Sequence, residues 1–261
     1  DVAFQPAREL GLGSAHALAL SPDGQHIATA GGTGAFLWNL ATGQLAHRLT
    51  DARVPLLKVV FSSDSALVLA AGRDAAVHAW DSRSGRRVGI WHGHRSEITA
   101  LRAIPNRRQF LTASGDNTAR IWSLDQPDPV QEFRIQGAWF NDAIFDAAQN
   151  RIVTFHGLPA PEPRIWDADT GKILGILPGS GGDVRRGVLL PDGRLATTGA
   201  DLSIRVWNLE TLTLEKTLAG SRMEMVDLGV SADGSQLLAG SADGAIRLWS
   251  LPDLAEIPLP W

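Results

Sequence analysis

The chain contains no cysteine among its 261 residues. Disulfides, thiolate metal sites and thiol nucleophiles are therefore excluded, and stability must come from packing. Lysine is nearly absent too, with Lys58, Lys172 and Lys216 among 24 basic residues. That bias toward arginine, with abundant alanine and glycine, points to a GC-rich bacterial genome as the source. No apolar run approaches the roughly 18 residues needed to span a bilayer, so membrane insertion is not expected. Neither sign of charge dominates. A net charge of −4 and a pI near 6.0 give no field drawing the chain to nucleic acid or anionic lipid. The pairs Arg86-Arg87, Arg107-Arg108 and Arg185-Arg186 read as solvated turns rather than as one basic stripe. Asp1 stands where an initiator Met would be, and no signal-like apolar stretch follows it. The expectation is a processed mature chain or a piece of a longer one, with its compartment undetermined.

Constellations for catalysis are missing as well. The glycine-rich stretches Gly31-Gly32-Thr33-Gly34 and Gly179-Ser180-Gly181-Gly182 lack the Lys-Ser/Thr and the helix that phosphate cradling requires. No Gly-x-Ser-x-Gly elbow is present. His92-Gly93-His94 could place two imidazoles on one side of an extended segment, but no third ligand lies nearby in sequence. No catalytic residue, metal or cofactor is assigned, and the chain is read as a non-enzyme. With 44% hydrophobic and 20% charged residues, it has the balance of a globular protein with a buried core.

What the chain has is a repeat. Trp38, Trp80, Trp122, Trp166, Trp207 and Trp249 sit in near-identical contexts, spaced by 42, 42, 44, 41 and 42 residues. Ahead of each lies a short apolar strand, a turn that is often Asp-Gly (Asp23-Gly24, Asp192-Gly193, Asp233-Gly234), and a second apolar strand. A tight turn then leads into the Trp strand, and a fourth strand ends in a Gly-containing loop. Strands of about five residues at ten-residue intervals indicate an all-β fold. Each unit is expected to be a four-stranded antiparallel blade, and blades bury their faces only by stacking around an axis.

These units resemble WD repeats, over essentially the whole chain. The resemblance implies an all-β propeller as a single domain over residues 1–261, with six four-stranded blades and no cofactor. A seven-bladed ring or a longer array is the alternative, because Val2 to Leu10 looks like an extra outer strand while the last repeat has its own from Leu254 to Pro260. In the third unit the resemblance assigns His94, Ser114 (or Thr112), Asp116 and Trp122 to a hydrogen-bonded structural tetrad. The Asp recurs at Asp74, Asp201 and Asp243 and is replaced by Gly32 and Ala160 elsewhere, and only His94 supplies the histidine.

In that topology the loop entering each first strand shares one face, the top, with the turn before the Trp strand. Arg53, Arg73, Arg95, Trp139, Phe140, Arg222, Met223 and Met225 fall there, residue types that offer large contact area. They are the expected anchors for a protein partner. The turn before Trp166, His156 to Pro163, is lengthened and carries three prolines, and is read as a stiff projection on the same face. A second ring position, His16, Lys58, Asp142, Arg185 and Asp227, is expected to face the central channel. The leading functional expectation is a monomeric, non-catalytic scaffold that binds protein and not nucleic acid. A regulatory propeller from a larger signalling protein is the first alternative. A propeller enzyme or small-ligand binder using the channel is the second.

Overall fold

The computed structural model describes residues 15–49, 54–218 and 223–258. Among these there are strands and turns and no helix. Blade 1 holds β1 (Ala15–Leu20), β2 (His26–Gly31), β3 (Gly34–Asn39) and β4 (Leu45–Leu49). Blade 2 holds β5 (Leu56–Phe61), β6 (Leu67–Gly72), β7 (Val77–Asp81) and β8 (Arg87–Trp91). Blade 3 holds β9 (Ile98–Ala103), β10 (Gln109–Ser114), β11 (Thr118–Ser123) and β12 (Pro129–Arg134). Blade 4 holds β13 (Phe140–Asp146), β14 (Arg151–His156), β15 (Arg164–Asp167) and β16 (Ile173–Ile176). Blade 5 holds β17 (Val184–Leu189), β18 (Leu195–Gly199), β19 (Ile204–Asn208) and β20 (Thr213–Leu218). Blade 6 holds β21 (Met225–Val230), β22 (Gln236–Ser241), β23 (Ile246–Ser250) and β24 (Glu256–Ile257).

Every sheet is an antiparallel meander in chain order. The architecture is therefore the six-bladed β-propeller anticipated from the repeat, with the first strand of each blade innermost. The glycines of the three Asp-Gly turns take φ of 69°, 83° and 71° at Gly24, Gly193 and Gly234, conformations that a Cβ disfavours. The last repeat does carry its own outer strand, β24, whereas Val2 to Leu10 lies outside the described residues.

Alternating side chains of each sheet meet those of the next in five apolar layers, joining blades 1 and 2, 2 and 3, 3 and 4, 4 and 5, and 5 and 6. Among the described residues no such layer joins blade 6 to blade 1. Leu18 and Leu20 are 73% and 57% exposed, while Leu101, paired to the second strand as Leu18 is, is 3% exposed. On the other side of the seam Ile246 is 54% exposed, although its counterparts Ala35, Val77, Ala119 and Ile204 are fully buried. The seam thus presents two apolar faces built like the five that are covered.

Each innermost pairing is also interrupted. In every blade the register slips by one residue near the top, at Ala15/Ala17, Leu56/Lys58, Ala113/Ser114, Phe140/Asp142, Val184/Arg186 and Met225/Asp227. A bulge of this kind leaves one residue unpaired and re-aims its neighbours. It decides what reaches the channel.

Candidate functional site

Blade 3 shows how the loops are held. Trp122 Nε1 donates to Thr112 Oγ1 (2.8 Å), Thr112 Oγ1 lies 2.7 Å from His94 Nε2, and His94 Nδ1 lies 2.9 Å from Asp116 Oδ2. The bonds fix one tautomer: Nδ1–H donates to the carboxylate and Nε2 accepts from the threonine hydroxyl. Asp116 also accepts the backbone N–H of Arg95 and the Thr118 hydroxyl. Burial works to raise the Asp116 carboxyl, but the bonds from His94 and Thr118 outweigh it and hold the group well below the usual range. Of the two candidates for the third member, Thr112 fills the place and Ser114 does not. Ser114 stands one step beyond the His94 ring, at the strand end, and donates to the carbonyl of Ser96 (3.0 Å).

In blades 3 to 6 backbone bonds then tie the turn before the Trp strand to the loop entering the first strand. Gly115 N donates to Glu97 O, Gly157 N to Trp139 O, Ala200 N to Asp183 O and Ala242 N to Glu224 O. This places both sets of loops on one face, as the repeat register implied. Arg73, Arg95, Trp139 and Met223 are exposed there. Arg73 and Trp139 are joined through one pair of loops, which Arg95 also borders through its backbone bond to Asp116. Arg73 approaches Glu97 (3.8 Å), the carbonyl of Glu97 holds Gly115, and the Trp139 indole lies over Gly115, where any Cβ would collide with it.

Phe140 and Met225 do not belong to this surface. They are 0% and 1% exposed and sit in the apolar layers, Phe140 packed edge-on against His156 at 4.6 Å between ring centres. Both occupy the first paired position of an innermost strand, which points between blades and also holds Leu56, Ile98 and Val184. Arg53 and Arg222 lie outside the described residues. The lengthened turn of blade 4 folds back rather than projecting. His156 and Pro163 are buried, Ala160 packs on the core, and Leu158 and Pro159 alone are exposed at its tip.

The innermost strands enclose a cavity of about 710 Å³. The charged groups lining it are Lys58, Arg102, Asp142, Arg186 and Asp227, with His16 on blade 1. Two expected positions are displaced. The bulge leaves His16 and Arg185 unpaired, and the place equivalent to Lys58 falls to Ala17 in blade 1 and Arg186 in blade 5. Arg185 instead sits at the top rim, paired with Glu224 (2.5 Å). Arg102 was not anticipated. It reaches from blade 3 to Asp142 with Nη2 at 3.1 and 2.9 Å from the two carboxylate oxygens.

The family model described as "WD domain, G-beta repeat" matches residues 85–123, 171–208 and 212–250. Three stretches of the chain therefore match WD repeats. Each match begins one or two residues ahead of the outer strand of one blade and ends on the Trp strand of the next, so the matched unit is offset from a blade by one strand. Among curated relatives, Autophagy-related protein 16 of Arabidopsis thaliana is 27% identical over 228 residues, 82% of this chain and 43% of that protein. Pre-mRNA-processing factor 19 homolog 2 of the same plant is 25% identical, covering 80% of this chain and 40% of its own. Cilia- and flagella-associated protein 52 of Sus scrofa is 24% identical, with coverage of 81% and 34%. The chain spans less than half the length of each of these eukaryotic proteins, and none of them bears on a bacterial source.

The blades differ in how completely they build the Trp–Thr–His relay. Trp38, Trp166 and Trp207 donate to Thr29, Thr154 and Thr197 at 3.1, 2.8 and 2.9 Å. Blade 4 has a histidine too, supplied from the second strand rather than the entering loop. His156 Nε2 lies 2.8 Å from Thr154 Oγ1, and Nδ1 donates to the Glu162 carbonyl (3.2 Å). A backbone oxygen here replaces the missing aspartate, a substitution that sequence spacing could not reveal. In blade 2 the threonine position is Ala70, fully buried, and Trp80 Nε1 has no partner. Ala70→Thr should supply one and raise stability by about 1 kcal/mol, the net worth of a neutral hydrogen bond. Urea unfolding would show it. A loss instead would mean the blade cannot take the extra methyl.

Proposed function

We propose that this chain is a non-catalytic interaction scaffold whose top face, centred on Arg73, Arg95 and Trp139, takes a protein partner. The observation that carries this is the fixing of that patch. Its backbone is tied by the Glu97–Gly115 and Arg95–Asp116 bonds to a buried relay, so binding need not order the loops. Arginine and a half-exposed tryptophan on a rigid rim are the side chains that dominate interface energies. The arginine-rich composition supports a bacterial source for it. The partial coverage of its relatives supports a second reading, in which the same face serves as the regulatory module of a longer protein.

Arg95→Glu combined with Trp139→Ala should weaken capture of its partner by tenfold or more, while Arg83→Glu, in an exposed turn on the opposite face, should not. Quantitative pull-down with the three folded proteins measures this. Equal capture by all three would move the interface off the top face.

A further inference from the structure

In the 710 Å³ cavity three cations, Lys58, Arg102 and Arg186, face two anions, Asp142 and Asp227, while Glu97 and Glu224 at the adjoining upper mouth are paired with Arg73 and Arg185. The excess is positive, although the chain as a whole carries −4. How the charges are shared matters more than their sum. Asp142 is 1% exposed, and both its oxygens are held by Arg102, with Oδ1 also accepting the N–H of Ala143 (2.9 Å). Arg102 Nε donates to the Ala143 carbonyl (3.2 Å). Asp142 is thereby committed to Arg102 and offers little to a second cation.

Lys58 and Arg186 are left over. Among the described residues, Arg186 donates to the carbonyls of Asn141 and Arg185 (3.3 and 3.1 Å) and to no carboxylate. Lys58 makes no hydrogen bond or ion pair to any described residue. Burial depresses its ammonium, Arg186 adds the next largest depression, and Asp142 and Asp227 oppose them only in part. Asp227 is exposed and turned partly to its own strand, accepting the N–H of Leu228 (3.0 Å). Two cations therefore face one polar cavity, short of acceptors, in a setting that makes charges expensive to leave unpaired.

We propose that the channel binds a small oxyanion, held between the Lys58 ammonium and the Arg186 guanidinium. Arginine offers a planar fork and lysine a point charge, the combination that suits a phosphate or carboxylate group with at least two free oxygens. A metal cation is disfavoured by the same excess charge. The site does not depend on the top face, so it stands or falls separately from the scaffold reading.

The chain has only three lysines, which makes the test direct. After reductive ¹³C-methylation, the Lys58 methyl signal is titrated with pH, with and without inorganic phosphate, and in a second arm with citrate. The Lys58 titration should move upward by about one pH unit with a bound anion, since an opposite charge favours the ammonium, while Lys172 and Lys216 stay fixed. Calorimetry should show binding that is lost in Lys58→Met and weakened at least tenfold in Arg186→Met. A response to phosphate alone would mark a phosphoryl site, and one to citrate alone a carboxylate site. A Lys58 signal indifferent to both anions, or binding that survives Lys58→Met, would overturn the proposal and leave a channel neutralised by its own pairs.

Discussion

Leu101→Ala is expected to cost about 2–5 kcal/mol, and Leu18→Ala less than about 0.5 kcal/mol, although the two leucines occupy the same position of the repeat. Leu101 pairs with Thr112 and Leu18 with Thr29, at the same step of the innermost strand. Their burial differs because Leu101 meets blade 2 behind it, in a layer with Leu69, Val77 and Ala79, whereas Leu18 belongs to no such layer and is 73% exposed. Truncation at Leu101 removes transfer free energy and leaves a cavity that stiff sheets cannot collapse. Truncation at Leu18 removes atoms that already contact water. Urea unfolding followed by tryptophan fluorescence gives both numbers. Equal, large costs would mean that the blade 6 face and the blade 1 face close on one another in solution, and that the seam is covered.

The repeat itself was plainly legible. Six tryptophans at near-constant spacing carry the blade count, and the Asp-Gly turns carry the strand breaks. What the spacing could not carry was register within a blade. Blades 1 and 5 are each one residue short between the channel position and the Trp. In blade 1 the loss lies in the turn between β2 and β3, where Gly31 pairs directly with Gly34; in blade 5 it lies before β18, where Leu189 pairs with Leu195. Counting back from Trp38 and Trp207 therefore lands on His16 and Arg185, the bulged residues, instead of Ala17 and Arg186. A bulge breaks strict alternation without leaving a mark such as Gly or Pro.

Other misplacements had a readable signal. Phe140 and Met225 fall in a column whose other members are Ala15, Leu56, Ile98 and Val184, all apolar and, apart from Ala15 at the seam, all buried. A column that never accepts a charge points inward, and it separates these two from their neighbours Trp139 and Met223. Thr112 could also have been preferred to Ser114, since Thr29, Thr154 and Thr197 recur at that step while Ser114 recurs only as Ser241. His156 had no such signal. It serves a relay whose acceptor is the carbonyl of Glu162, and a carbonyl is the same in every residue type.

Acid should unfold this protein largely through His156. Burial pushes its imidazole down to about 3; Arg164 adds to the effect, and the bond to the Glu162 carbonyl opposes it only in part. The geometry explains the direction. Nε2 accepts from the Thr154 hydroxyl, which in turn accepts from Trp166 (2.8 Å), so a proton on Nε2 breaks the relay and leaves a charge beside Phe140. The unfolded chain binds that proton near pH 6.5 and the folded one only near pH 3. The His156 contribution is therefore flat above about pH 6.5 and falls by about 1.4 kcal/mol per pH unit below it, reaching about 4 kcal/mol lost near pH 3.5. His94 contributes in the same sense, since burial lowers it too, but Asp116 opposes with a full charge where blade 4 has only a carbonyl. His156→Gln should cost about 1–3 kcal/mol at pH 7.5, through the altered relay, and should flatten the slope between pH 6.5 and 4.5, above most of the carboxylate titration. Urea midpoints across that window measure both effects, and a variant that kept the full wild-type slope would assign the acid sensitivity elsewhere.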